Sequence, residues 1–183
     1  SQAELKPGSS RQLDQGFTVR QPQRWSPSSP VRYQLRQRLI VDGKAVDETT
    51  TPFGIRSIRF DPAQGFSLNG ESLKLKGVCL HHDAGSLGAA VPVAVWERRL
   101  RQLQAIGVNA IRTSHNPPAP EFLELTDRLG FLVQVEAFDE FIPAKNKWVD
   151  GWNVGVPSRH GYAEDFEAWA VRDVEAMVRR DRN

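Results

Sequence analysis

From Leu73 onward, strand-like and helix-like segments alternate strictly, and that alternation limits the possible folds more than any other feature. "LKLKGV" reads as a strand, and "PVAVWERRLRQLQAIG" as a helix with Trp96, Leu100, Leu103 and Ile106 on one face and Gly107 placed to end it. "VNAIR" is a second strand. "APEFLELTDRLG" is a second helix, with Phe122, Leu125 and Leu129 aligned and Gly130 at its end. "FLVQV" is continuously apolar, as suits a strand covered on both faces. After a long irregular loop, "AEDFEAWAVRDVEAMVRRDRN" reads as a third helix, its buried stripe expected at Phe166, Trp169, Ala170, Val174, Met177 and Val178. A β-α-β-α-β-α order demands a parallel sheet with right-handed crossovers. Three strands are too few to close an eight-stranded barrel and few for an open doubly wound sheet. The chain ends after a helix, where a fourth strand is expected, so it reads as part of a longer unit.

The preceding stretch follows a different grammar. In "VRYQLRQRLIVDGKAVDETTT", Val31, Tyr33, Leu35, Leu39 and Val41 alternate with Arg32, Gln34, Arg36 and Arg38, the period of a half-buried strand. Asp42-Gly43 then marks a hairpin, "IRSIRF" a further strand, and Asn69-Gly70 a second hairpin joining "GFSL" to "SLKLKGV". Strands joined by tight turns, with no helical period between them, predict an antiparallel sandwich. Residues 1–16 are polar, without periodicity, and read as a tail or linker.

Charge is nearly balanced, 24 Lys and Arg against 22 Asp and Glu, which argues against a broad nucleic-acid or membrane-surface footprint. The longest apolar runs fall short of the roughly 18–20 residues that span a bilayer. Cys79 is the single cysteine, so no intrachain disulfide forms and no Cys-rich metal framework exists. A lone cysteine fits either a cytoplasmic or an exported protein, and the compartment stays open.

Parallel α/β sheets gather their chemistry at the carboxyl ends of the strands. The first strand ends in "HHD", where His81 and Asp83 share a face and His82 points away. Arg112 and His115 follow the second strand, and Glu136, Asp139 and Glu140 the third. Burying such groups separately is costly, so their common placement predicts one polar pocket. Structural readings compete: His82 as a packed outward residue, Arg112 as an ion-pair partner for Glu136, Trp148 and Trp152 as core cover rather than ligand-stacking surfaces. A metal shell of His81, Asp83, His115 and a carboxylate is permitted by the His-x-Asp spacing, but no His-x-His or His-x-x-x-His pair makes it specific. The second chemical reading is a ring of hydrogen-bonding groups around a polyhydroxylated substrate. "GSLGAA" has neither Walker nor dinucleotide spacing, so no phosphate loop competes.

Three stretches, "FGIRSIRFDPAQGFSLNGESLKLKGVCLHHDAGSLGAAVP", "LQAIGVNAIRTSHNPPAPEFLELTDRLGFLVQVEAF" and "VRRDRN", resemble glycoside hydrolase family 2, the β-galactosidase, β-glucuronidase and β-mannosidase group. The resemblance runs from about Trp25 to the end. It implies a partial immunoglobulin-like β sandwich (17–62) followed by the first three βα units of a (β/α)8 TIM barrel (63–183). By resemblance His81 matches the family histidine after strand one, Arg112 and His115 its Arg-x-Ser-His motif, and Glu136 its "EA" motif. With Asp139 these are expected to bind the sugar. Ile142 stands where many β-galactosidases carry a magnesium-binding histidine, so no metal or other cofactor is expected; Cys79 replaces the usual asparagine. The family's retaining chemistry uses two glutamates about 5–5.5 Å apart. The resemblance places them after strands four and seven, beyond Asn183. Neighbours on one loop, such as Glu136, Asp139 and Glu140, seldom straddle a glycosidic bond. The expectation is therefore part of a retaining hydrolase of terminal β-glycosides, most of all a β-galactosidase, inactive by itself and prone to self-association through unclosed barrel surfaces. The rival is a non-catalytic sandwich interaction module carrying a barrel remnant.

Overall fold

In the computed structural model, residues 4, 6–149, 152–157 and 161–182 are described, with residues 146–149 and 152–157 as backbone only. Strands β1 (Tyr33–Val41) and β2 (Lys44–Phe53) pair antiparallel across Asp42-Gly43. The turn residues have φ of 50° and 76°, the mirror-image geometry that matches strand twist. Strands β3 (Ile58–Asp61), β4 (Gly65–Leu68) and β5 (Glu71–Ser72) form an antiparallel meander. Its second turn, Asn69-Gly70, has φ of 58° and 88°. Its first turn is held by Asp61, whose Oδ1 accepts hydrogen bonds from the Ala63 and Gln64 amides.

The parallel sheet is ordered β6 (Gly77–His81), β7 (Ala110–Ser114), β8 (Leu132–Val135). Helix α1 (Val93–Ala105) links the first two strands and α2 (Pro120–Leu129) the last two. The apolar faces of both helices meet the sheet. Trp96, Leu100, Ile111, Phe122, Leu125, Leu129 and Phe131 form the core, each under a tenth exposed. Pro120 opens α2, where its missing N–H would be unpaired anyway. Gly130 closes it at φ 86°, and the Gly130 and Phe131 amides bond back to the Thr126 carbonyl. A Cβ at Gly130 would collide with the Pro27 carbonyl oxygen, so the α2 terminus is keyed to the chain that precedes β1.

Trp25 joins the two halves. It is 3% exposed, its amide bonds to the Ile55 carbonyl at 2.9 Å, and its indole N–H donates to the Asp127 carbonyl of α2 at 2.8 Å. The Asn69 side-chain amide donates to the Trp25 carbonyl (3.0 Å), and the Arg56 guanidinium lies over the ring. Truncating an aromatic buried like this to alanine costs about 3–5 kcal/mol.

Four expectations are corrected. "SLKLKGV" is not one strand: β5 ends at Ser72 and β6 begins at Gly77, which separates the meander from the parallel sheet. Ile106 leaves the α1 face, 77% exposed, because it caps the helix rather than continuing it. The β1 face is half-buried only at Tyr33 and Leu35. A register shift between Leu39 and Ile40 breaks the alternation, and no second sheet covers the hairpin among the described residues. The third helix, α3 (Phe166–Asp181), has no fully buried residue. Its covered stripe is Phe166, Ala170, Asp173 and Met177, whereas Trp169, Val174 and Val178 are exposed. It contacts mainly the 3-10 turn Tyr162–Glu164, and that turn selects the face.

Part of the expected irregular loop is a backbone hairpin of β9 (Asn146–Val149) and β10 (Trp152–Pro157). The side chains of Trp148 and Trp152 lie outside the described residues.

Candidate functional site

Parallel register brings the strand ends level: His81 stands opposite Ser114, and Thr113 opposite Val135. The residues that follow therefore converge. Glu136 Oε2 lies 2.6 Å from His115 Nδ1, and Glu136 Oε1 lies 3.1 Å from Arg112 Nε. The Glu136 amide donates to the Thr113 hydroxyl at 3.3 Å, which ties the carboxylate's backbone to the neighbouring strand. The rings of His81 and His115 meet edge to face, centroids 5.3 Å apart. The peptide between Ser114 and His115 is cis.

Glu136 is the hub. A carboxylate accepts at both oxygens, so His115 carries a hydrogen on Nδ1 and leaves Nε2 for a ligand. Arg112 and His115 keep about two-fifths of their side-chain surface exposed, and Glu136 about a fifth. A half-buried, oriented carboxylate with two more exposed donors suits neutral hydroxyl groups, which need directional hydrogen bonds more than net charge. Arg112 is thus the partner of Glu136, and its exposed surface can also face a ligand.

Asp139 is exposed and shares a cleft of about 400 Å³ with His115. The cleft's other wall is formed by Tyr162, Asp173, Met177 and Arg180. Tyr162 stacks on Phe138 with centroids 4.7 Å apart, and its hydroxyl donates to Asp173 Oδ2 at 2.6 Å. Desolvation first, and then that bond, push the phenol up to about 12. Neither Tyr162 nor Asp173 carries a local sequence signal; the readable hint is that Asp173 shares a helical face with Phe166 and Met177.

Glu140 has a different part. It is fully buried, accepting from the Lys145 amide (3.1 Å) and the Ala163 amide (3.2 Å), and so pins both ends of the long loop. His82 packs edge to face on Trp96, the packing expected of its outward position. Asp83 is exposed, and its carbonyl accepts from Arg99. Among the described residues no group of three or more His, Cys, Asp or Glu side chains stands close enough to hold a metal ion, and no helix is long and apolar enough to cross a membrane.

Comparison with known proteins agrees with this architecture. Residues 62–183 match the family model "Glycosyl hydrolases family 2, TIM barrel domain", and residues 1–56 match "Glycosyl hydrolases family 2". The chain is 43% identical over 183 residues to beta-galactosidase BoGH2A of Bacteroides ovatus, covering all of this chain and 20% of that protein. It is 37% identical over 119 residues to a beta-glucuronidase of Bacteroides fragilis, covering 64% of this chain and 17% of that one. Among solved structures, a beta-glycosidase from Bacteroides vulgatus superposes with a TM-score of 0.78 at 42% identity, over 90% of this chain and 20% of that one. Bacteroides uniformis beta-glucuronidase 3 gives 0.69 at 31% identity, over 90% and 19%. The chain spans about a fifth of the length of these relatives. With its paired domain matches, parallel sheet and charged strand ends, this chain belongs to glycosyl hydrolase family 2.

Proposed function

We propose that this chain is the sandwich-to-barrel portion of a retaining hydrolase of terminal β-glycosides, with β-galactosides as its substrate class. In this reading residues 1–16 are a linker and 17–62 the end of the sandwich domain. Residues 63–183 open the catalytic barrel, with β6, β7 and β8 as the first three of eight strands. The boundary near residue 62 is supported by the two family models meeting between residues 56 and 62, the first of which also takes in residues 1–16. The galactoside preference rests on the beta-galactosidase relative that matches along the whole chain.

The single observation that carries the reading is the Arg112–Glu136–His115 cluster at the carboxyl ends of adjacent parallel strands. With His81 beside it and Asp139 on the adjoining cleft, it supplies donors and acceptors for sugar hydroxyls. Catalysis by family chemistry needs an acid/base and a nucleophile on opposite sides of the bond. Glu140 is committed to backbone amides and Glu136 to Arg112 and His115, so neither is available for those roles. This chain binds and orients, and other strands of the barrel supply the reacting glutamates.

The test is a panel of aryl β-galactoside, β-glucuronide and β-mannoside substrates given to the full-length protein, with the product anomer read by NMR. Preferred cleavage of the galactoside with the β-anomer released first is the expected result. An α-anomer released first, or another preferred sugar, contradicts the proposal. No cleavage of any substrate leaves the non-catalytic interaction module as the better reading. The chain alone is expected to cleave none.

A further inference from the structure

Among the described residues, two buried polar atoms behind the strand ends have no protein partner: the indole nitrogen Nε1 of Trp96 and the hydroxyl Oγ of Ser114. Both side chains are at the bottom of the exposure range, each residue 4% accessible. They come from different elements, Trp96 from the second turn of α1 and Ser114 from the last position of β7. Both line the same small cavity, together with His82, Asn116 and Phe122, and it leaves about 10 Å³ in which the centre of a water-sized sphere can sit.

We infer that this cavity is a binding site for one structural water molecule, which accepts a hydrogen bond from Trp96 Nε1–H and bonds Ser114 Oγ. The chemistry is selective for water. The indole offers only a donor, whereas a hydroxyl both donates and accepts, so the bridging group needs an acceptor lone pair and further hydrogen-bonding capacity. Leaving both atoms dry forfeits two hydrogen bonds in a buried place, and cavities that stay empty in proteins are apolar. The volume admits one such centre and excludes a sugar ring or hydroxymethyl group. His82, edge-on to Trp96 with ring centroids 5.9 Å apart, and the T-shaped contact of Trp96 with Phe122 hold the indole in place. The water therefore joins α1 to the residue immediately before His115. The inference is independent of which sugar, if any, the neighbouring cluster binds.

A crystal structure of the full-length protein, at a resolution that orders waters, tests this directly. Expected is a density peak within hydrogen-bond distance of both Trp96 Nε1 and Ser114 Oγ, lost in Trp96→Phe, which keeps an aromatic ring but removes the donor. A cavity without density, or Nε1 bonded to a protein carbonyl, overturns the proposal, as does a peak of unchanged occupancy in the variant. A second measurement covers failure of that variant to fold. In the ¹⁵N-labelled unmodified protein, the Trp96 indole proton is expected to show a magnetisation-transfer peak to a long-lived water. In Ser114→Ala that peak is expected to weaken or vanish. An indole proton with no water peak in the unmodified protein overturns the site.

Discussion

Glu136 lies between an imidazole and a guanidinium, 2.6 Å from His115 Nδ1 and 3.1 Å from Arg112 Nε. One carboxylate thus sets the direction of two donors from the neighbouring strand and its loop. Glu136→Gln keeps the shape but gives His115 and Arg112 a neutral partner, one end of which is itself a donor. Hydrogen bonds to charged groups contribute about 1.5–3 kcal/mol, or about 10- to 150-fold in kcat/KM if lost in the transition state. Steady-state kinetics of the full-length protein are expected to show a fall in that range, with a melting temperature changed by only a few degrees. Unchanged kinetics would mean that the cluster serves packing alone.

Tyr162 is expected to stay protonated well into alkaline solution. Desolvation and the Asp173 carboxylate raise its pKa from the ordinary 10.0 to about 12. A raised pKa means that the folded state holds this proton more tightly. Its contribution to stability is full below pH 10 and is lost as pH rises through about 12. Phenolate absorbance at 295 nm, compared between the unmodified protein and Tyr162→Phe, isolates this residue from Tyr33. Half-ionisation near pH 10 would contradict the packing of Tyr162 on Phe138.

Gly161 is the residue that lets Glu140 close its loop. A Cβ placed there collides with Glu140 Oε2, which also accepts the Ala163 amide. Gly161→Ala is expected to displace the carboxylate and leave buried polar groups unpaired, a destabilisation of about 1–3 kcal/mol. Chemical denaturation measures it. Limited proteolysis is expected to cut the loop faster in the variant, and equal cutting would show that Glu140 does not anchor it.

Local features explain what could be read from the sequence. The Asp42-Gly43 and Asn69-Gly70 turns, the Trp96/Leu100 and Phe122/Leu125/Leu129 faces and the glycine that ends α2 depend on short-range geometry, and all are found. The convergence of His81, Arg112, His115 and Glu136 was also legible, because parallel strands with helical crossovers present their carboxyl ends side by side. What stayed hidden depends on distant partners. Trp25 bonds to Asp127, 102 residues away, and nothing near Trp25 announces it. The rotation of α3 is decided by Tyr162 and Phe138, which leaves Val174 and Val178 exposed although the helical period marks them for burial. The β9–β10 pairing lies in a stretch too irregular for strand periodicity to stand out.

Open sheet surfaces lead to a prediction about the chain by itself. A groove of about 460 Å³ between the meander and the parallel sheet is lined by Ile58, Phe60, Phe66, Val78, Ile111 and Val133, with Phe60 75% exposed. Among the described residues β6 and β8 are sheet edges. Apolar concavities beside unpaired edges favour association. Analytical ultracentrifugation is expected to show oligomers that grow with concentration, and a monomer stable across the range would contradict it.

The most direct test of the central claim is a crystal structure of the full-length protein with a non-hydrolysable β-galactoside bound. The strand-end cluster is expected to meet the sugar, with hydroxyl groups within hydrogen-bond distance of the exposed faces of Arg112 and His115, and Glu136 still joining the two. A sugar bound elsewhere, with these side chains bonded only to one another, would contradict the account.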